Sequence, residues 1–501
     1  MGLTDEQKQI LSCTNNGLII VNALAGTGKT STLLEWCKQK PHLKILYLVF
    51  GRAMSDEAKK MFKDLKNVHV KTTHSLAFKS FGVKYKNKLT QSYRAIDCMR
   101  DLDLHGDYDT ANSVLSLFNK FLSSDSEDIY KFTQATLRGY GIRNEHKISS
   151  LAKLCDELWK KSVDLNDDTQ VVHDFYLKLY QMSKPNLGLE YDVMLIDEAQ
   201  DSTMAIKGII DSSKDTLKQT IIIGDPHQSI FQFRNCVNLI EIYSKEATNY
   251  DLTGSFRVNQ DIANMCNMLL DMFKKKKVHM SGYNKNQKIY SDKGLNFENM
   301  QGQFNIITRT NATILAHAIE ASIRGKWLYF EGGYNSYPFQ FYKDLYWFRA
   351  TNQTYNKELS KFKDWEELQQ YATEADDIEL LTGIKFINMY SSKVDSLPNA
   401  IDNVKNYVVS KREQANFCYC TAHKSKGLTF ETPTLIERDF PHLMDWQKTI
   451  DDIISRSHIY PDALDKFLKD IEQDVNLAYV AITRAKGDIY LNEDMVKFFN
   501  L

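Results

Sequence analysis

A chain of 501 residues leaves room for about three to four domains, each long enough to bury its own core. Its 43% hydrophobic and 25% charged residues are those of an ordinary globular protein, and no apolar run approaches the ~20 residues that a membrane-spanning helix needs. A formal net charge of −1 gives no general attraction for nucleic acid, although a local basic groove can exist on a neutral chain.

The first residues, "MGLTDEQKQIL", have neither a basic start nor an apolar signal core, and Gln7 through Leu11 read as the start of a helix rather than as a lipidation signal. Five short apolar runs then follow in order: "GLIIVNA", "KILYLVF", "DVMLIDEAQD", "QTIIIGDPHQ" and "FNIITRTN". Each is short and β-branched, ends in polar or glycine punctuation, and is separated from the next by helical sequence. That order predicts parallel sheets with ligand-binding loops at their carboxyl ends. Between Ala77 and Glu190 the periodicity turns helical, which predicts an all-α insertion. A second helical break runs from about Leu345 to Gln414, after which "FCYCTAHKSKGL" resumes the strand-loop style. The run Lys274 to Lys277 reads as a solvated helix end rather than a DNA contact. Eight cysteines are scattered without metal-ligand pairs, with Cys418 and Cys420 standing alone. They predict reduced thiols in an intracellular compartment, cytoplasmic or nuclear.

The stretch "VNALAGTGKTSTL" carries the first chemistry. Backbone N–H groups around Gly26 to Gly28, within a loop from Ala25 and Thr27 to Ser31, can cradle phosphates. Lys29 can reach the β- and γ-phosphates, and the Thr30 hydroxyl can ligate magnesium. The helix that follows points its positive end at the same anion. Ala23 stands where the strict phosphate-loop pattern has glycine. In "LIDEAQD", Leu195 and Ile196 end a buried strand and deliver Asp197 to the magnesium and Glu198 to the attacking water. The loop and the acidic strand together read as an ATPase. Such chemistry benefits from an arginine against the γ-phosphate, for which "GSFRVN" offers Arg257 and "AYVAITRAKG" offers Arg484. Both lie far along the chain from the loop, so a second domain should close on the nucleotide.

This ordered set resembles the superfamily 1 helicases of the UvrD/Rep type, and most of all the helicase core of the F-box DNA helicases. The resemblance extends from "LTDEQKQIL" to "LAYVAITRAK", nearly the whole chain. "LTDEQ" is similar to the Q motif, "KTTHSLAF" to motif Ib, "GDPHQSIFQFR" to motif III, "GSFRVNQDIA" to motif IV, "CTAHKSKGLTFE" to motif V and "LAYVAITRA" to motif VI. Alanine at position 23 is common in that family.

The resemblance implies an α/β fold of two RecA-like P-loop NTPase domains with parallel sheets, each carrying a mainly helical insertion. The first domain would comprise 1–76 and 191–244 with its insertion at 77–190. The second would comprise 245–344 and 415–501 with a short insertion at 345–414. The implied cofactors are ATP and magnesium, and the implied partners are single-stranded DNA and tailed duplex DNA. Gln7 would read the adenine edge, Phe256 would stack on adenine beside Arg257, and Gly427 would lie at the nucleotide. Gln228 would sense the γ-phosphate. Phe231 and Phe233 would face single-stranded DNA, with Phe233 the base platform. Phe50, Thr73, His74, Arg309, Thr421 and His423 would make backbone or base contacts. The "QSIFQFR" form of motif III implies 3′-to-5′ movement. Two positions depart from the family pattern: Thr429 replaces a glutamate expected near the ribose, with Glu431 two positions on, and Ser31 stands where an adenine-side arginine is usual. Two other readings stand beside the DNA helicase. One is an RNA helicase or RNP remodeller, and the other a nucleotide-gated single-strand-binding subunit of a larger complex.

Overall fold

The computed structural model describes residues 2–91, 93–274, 278–296, 298, 300–374, 378–390, 396–456 and 462–501. The chain divides into two units, residues 1–252 and 253–501. Among the described residues no helix is long and apolar enough to cross a membrane.

The first unit is built on six strands: β1 (Gly17–Ala23), β2 (Ile45–Val49), β3 (Val68–Thr72), β4 (Val193–Ile196), β5 (Gln219–Gly224) and β6 (Thr248–Leu252). All pair in parallel, in the order β3-β2-β4-β5-β1-β6. Side chains alternate between the faces. Val21, Tyr47, Leu195 and Ile223 enter one core with Leu33 and Trp36, whereas Ile20, Leu46, Ile196 and Ile222 enter another with Ile206 and Tyr243. With both faces covered, the central strands must be apolar throughout, which is why they stand out as continuous runs. The domain boundary expected at residue 244 would leave β6 in the second domain. The strand instead pairs with β1 and belongs to the first unit. It is an edge strand whose burial is confined to Leu252, so "TNYDL" carries no apolar signal.

Helix α1 (Asp5–Leu11) is started by a capping box. The Thr4 hydroxyl accepts the Gln7 N–H at 3.2 Å and the Gln7 side chain accepts the Thr4 N–H at 3.0 Å. Helix α2 (Lys29–Lys38) follows β1 directly through the loop Leu24 to Gly28.

Between β3 and β4 lie the helices Ala95–Asp101, Tyr108–Leu122, Ile129–Gly139, Glu145–Val163 and His173–Met182. They enclose a core of their own around Phe121, Cys155, Leu158 and Phe175. The last helix serves two cores. Phe175 packs into the helical cluster, and Tyr176, Leu177 and Tyr180 pack against the sheet. On the same helix Lys178 is fully buried. Its Nζ donates to the Ser124 carbonyl and to Gln181 Oε1, each at 2.8 Å, and to the Ser126 carbonyl, and it lies 4.4 Å from the centre of the Phe121 ring. Burial pushes its pKa down to about 7.

The second unit repeats the plan. A short pair, β7 (Gly254–Ser255) and β8 (Ser281–Gly282), precedes β9 (Ile289–Ser291), β10 (Phe304–Thr308), β11 (Leu328–Phe330), β12 (Phe417–Thr421), β13 (Thr434–Ile436) and β14 (Ile489–Leu491). The six longer-range partners form a parallel sheet in the order β11-β12-β10-β13-β14-β9. Helices Phe339–Thr351, Trp365–Glu374, Ile378–Tyr390 and Leu397–Lys405 lie between β11 and β12. Helix begins at Phe339, ahead of the expected Leu345, because the buried stripe of Phe339, Tyr342, Leu345 and Phe348 already starts there. This insertion packs into the same core as the sheet residues Leu328, Phe330, Phe417 and Tyr419.

Lys274 closes the helix Gln260–Lys274 and is not solvated. Its side chain is only 8% exposed, paired with Glu472 at 2.7 Å and donating to Asn476 Oδ1 at 3.0 Å. Lys275, Lys276 and Lys277 lie outside the described residues.

Candidate nucleotide and strand sites

The loop between β1 and α2 is shaped by two left-handed glycines, Gly26 at φ +74° and Gly28 at φ +81°, a conformation that costs a side-chain-bearing residue and not glycine. Thr27 folds back on the loop, its hydroxyl donating to the Leu24 carbonyl at 2.8 Å. Gly28 caps α2 with no side-chain hydrogen bond, so the first turn presents backbone N–H groups and the helix's positive end to whatever anion sits there. Gln7 is drawn into this loop: its amide nitrogen donates to the Thr32 hydroxyl at 3.1 Å and to the Thr27 carbonyl at 3.4 Å. The residue expected to read adenine thus also braces the loop. Ser31 is exposed on the first turn of α2.

Strand β4 carries Asp197 and Glu198 to the carboxyl end of the sheet, where the loop after β1 also lies. Glu198 sits in the left-handed region at φ +51°, a costly conformation for a residue with a side chain. Its Oε1 lies 3.1 Å from Lys29 Nζ, and its other oxygen accepts from the Gln200 amide. Asp197 is buried. Its Oδ1 accepts the Glu198 N–H at 2.9 Å, and its Oδ2 accepts the Tyr47 hydroxyl at 2.6 Å and faces the Thr30 hydroxyl at 3.5 Å. Burial, and then the neighbouring Glu198 carboxylate, raise the Asp197 pKa above the ordinary carboxylate value. Burial opposes the Lys29 charge, but Glu198, Asp225 and Asp197 outweigh it, and the net shift is upward. Lys29 is therefore a fixed positive charge facing three acids. One hydroxyl and one carboxylate, set in a pocket with excess negative charge, suit magnesium, which takes few protein ligands and leaves its other positions to water and phosphate.

A buried amide network leads away from the acids. Gln200 Oε1 accepts the Asp225 N–H at 3.1 Å, and Gln228 Nε2 donates to Asp225 Oδ2 at 2.8 Å. A Cβ at Gly224 would come within 2.2 Å of Gln200 Oε1, so glycine is what lets β5 approach this amide. Sequence reading passed over Gln200, Asp225 and Tyr47. For Tyr47 the available signal was a hydroxyl-bearing ring in an aliphatic buried strand, which needs a partner.

Beyond the network, Phe231 is half-buried and Phe233 is 63% exposed, their ring centres 6.1 Å apart. The Arg234 guanidinium lies 5.3 and 5.5 Å from the two centres. Phe50 is half-buried against the sheet core. Thr73 is buried, and His74 Nε2 lies 2.8 Å from Asp174 Oδ1.

In the second unit, Phe256 packs on Tyr283 with ring centres 5.5 Å apart. Arg257 Nη1 donates to the Thr483 carbonyl at 3.0 Å. Arg484, 1% exposed, donates to the Val480 carbonyl at 3.0 Å, the Leu428 carbonyl at 3.4 Å and the Thr483 hydroxyl at 3.1 Å. Gly427 is exposed at φ +84°. Thr429 is exposed, and Glu431 is engaged by Lys486 at 2.8 Å. Arg309 follows β10 and pairs with Asp474 at 2.7 Å. Thr421 is buried and caps the short helix Ala422–Ser425, which includes the half-buried His423.

Two parallel six-stranded sheets, a glycine-shaped loop opening α2 and an acidic pair at the tip of β4 define a P-loop protein of RecA type. The family described as UvrD/REP helicase N-terminal domain matches residues 3–251, and the UvrD-like helicase C-terminal domain matches residues 131–493. The chain belongs to the UvrD/Rep-type helicase family. It is 30% identical to F-box DNA helicase 1 of Gallus gallus over 98% of this chain and 49% of that protein. It is 27% identical to F-box DNA helicase protein 1 of Schizosaccharomyces pombe over 100% of this chain and 58% of that one. A probable DNA helicase of Mycoplasma pneumoniae is 22% identical over 52% of this chain and 53% of its own length. The chain spans about half the length of the two F-box helicases it matches.

Proposed function

We propose that this chain is the motor of an ATP-dependent DNA helicase that moves 3′-to-5′ along single-stranded DNA and opens duplexes, in repair, recombination or replication. The observation that carries the reading is the cluster of Lys29, Glu198 and Asp197 at the mouth of the phosphate loop. ATP's phosphates would lie on the N–H groups of residues 25–31 and draw Lys29 away from Glu198. The freed carboxylate then accepts a proton from the attacking water, with Gln200 holding its other oxygen in place. Thr30 and Asp197 would hold magnesium, which supplies charge neutralisation on the phosphates. Gln228, tied through Asp225 and Gln200 to Glu198 and three residues before Phe231, is proposed to couple this chemistry to the Phe231–Phe233 pair. Arg257 and Arg484 are proposed to meet the γ-phosphate, and Gln7, Phe256 and Gly427 the nucleoside. Phe50, Thr73, His74, Phe231, Phe233, Arg309, Thr421 and His423 are proposed to follow the strand. Eight cysteines present as thiols suit a reducing compartment, cytoplasmic or nuclear.

The test is ATP hydrolysis with and without single-stranded DNA, followed by strand displacement on duplexes bearing a 3′ or a 5′ tail. Strand-stimulated hydrolysis with opening of the 3′-tailed substrate is expected. Absent hydrolysis overturns the motor, a 5′ preference overturns the polarity, and opening of RNA duplexes alone overturns the substrate.

A further inference from the structure

Tyr47 lies at the centre of β2, opposite Leu195 of β4, and is fully buried. Because side chains alternate, Tyr47, Leu195 and Asp197 share one face of the sheet. The tyrosine ring packs on Phe62 with centres 4.7 Å apart, which fixes where its hydroxyl can reach. That hydroxyl has one proton, and it points at Asp197 Oδ2 from 2.6 Å.

The Asp197 carboxylate is thereby held at both oxygens. Oδ1 accepts the Glu198 N–H, and Oδ2 accepts Tyr47 while its remaining side faces Thr30 Oγ1. A carboxylate fixed only at Oδ1 could still rotate and carry Oδ2 away from Thr30. Rotation would dissolve the hydroxyl–carboxylate pair on which a divalent cation depends.

We propose that Tyr47 is a positioning residue for the divalent-cation site, setting the Asp197 carboxylate so that Oδ2 and the Thr30 hydroxyl converge on one point. The proposal rests on the reading of Thr30 and Asp197 as the magnesium-side pair. Tyr47 itself touches neither nucleotide nor metal. It acts from behind, through one hydrogen bond, and the fully buried position leaves no water to replace it.

The experiment measures binding rather than turnover. A fluorescent ADP analogue is titrated against the full chain, once in EDTA and once in saturating magnesium, for wild type and Tyr47→Phe. Wild type should bind more tightly with magnesium. If it does not, the cation reading of Thr30 and Asp197 falls, and Tyr47 with it. Tyr47→Phe keeps the ring and its contact with Phe62 and loses only the hydroxyl. Its EDTA affinity should match wild type, while the magnesium-dependent gain should shrink about tenfold. In an Asp197→Asn background the same change should cost nothing further. An unchanged magnesium gain, or an equal loss with and without the cation, overturns the proposal.

Discussion

Arg257 and Arg484 converge on Thr483: the first donates to its carbonyl at 3.0 Å and the second to its hydroxyl at 3.1 Å. The two are not equivalent. Arg257 is half-buried, whereas Arg484 is buried and also holds the Val480 and Leu428 carbonyls. Arg484→Ala should therefore lower unfolding stability by about 1–3 kcal/mol by removing a buried, hydrogen-bonded side chain. Arg257→Ala should leave it nearly unchanged. Both should lower ATP hydrolysis by about 10³-fold or more if each meets the γ-phosphate. Chemical denaturation beside steady-state hydrolysis separates the two effects. Equal stability of the two variants would refute the anchoring role of Arg484.

Lys29 and Glu198 form the second pair to test. Glu198→Gln keeps the side-chain shape and the Gln200 contact and removes the base. Hydrolysis should fall by about 10²–10⁴-fold while ATP still binds. Lys29→Ala should lose both binding and hydrolysis in a protein that still folds, with a lowered melting temperature because Glu198, Asp197 and Asp225 lose their countercharge. Loss of nucleotide binding in a folded Glu198→Gln protein would contradict the general-base role.

Phe233 is largely exposed, so its removal should cost the fold nothing measurable. Phe233→Ala should weaken single-stranded DNA binding by about 1–3 kcal/mol, the value of one stacked base. At saturating DNA the variant should still hydrolyse ATP but displace little strand for each ATP consumed. A wild-type ratio of displacement to hydrolysis would make Phe233 a bystander.

Lys178 predicts a pH dependence. Its folded pKa, pushed down by burial to about 7, lies below the unfolded lysine value of 10.5. From pH 7 upward the unfolded chain holds a proton that the folded chain has released. Stability should then rise with pH across this window, by about 1.4 kcal/mol per unit at most. Below pH 7 both states are charged and the contribution is flat. Denaturation midpoints at pH 7 and 9, compared between wild type and Lys178→Met, check this: the variant should lose the extra rise.

The parts of this molecule legible in the sequence are those set by local chemistry. The phosphate loop declares itself through Gly26, Gly28 and Lys29 within four positions, and the acidic tip through adjacent Asp197 and Glu198 at the end of an apolar run. Strands buried on both faces were visible for the same reason, as in "QTIIIG". What stayed hidden depends on a partner remote along the chain. Tyr47 finds Asp197 across 150 positions, and Lys274 finds Asn476 across 202. Neither residue type reveals such a partner. The edge strand β6 is polar because only Leu252 needs burying, so periodicity passes over it.

The two helical insertions differ in how they could come apart. The first carries its own apolar centre and meets the sheet through opposite sides of the helix His173–Met182. It has what a separate unit of local unfolding requires, and amide exchange could register it opening while the sheet stays closed. The second has no such independence, because Phe339, Leu345 and Phe348 share one core with Phe330 and Tyr419. Loosening it would expose the sheet itself. A graft among the helices before His173–Met182 should therefore be tolerated where the same surgery in the second insertion unfolds the unit that carries it.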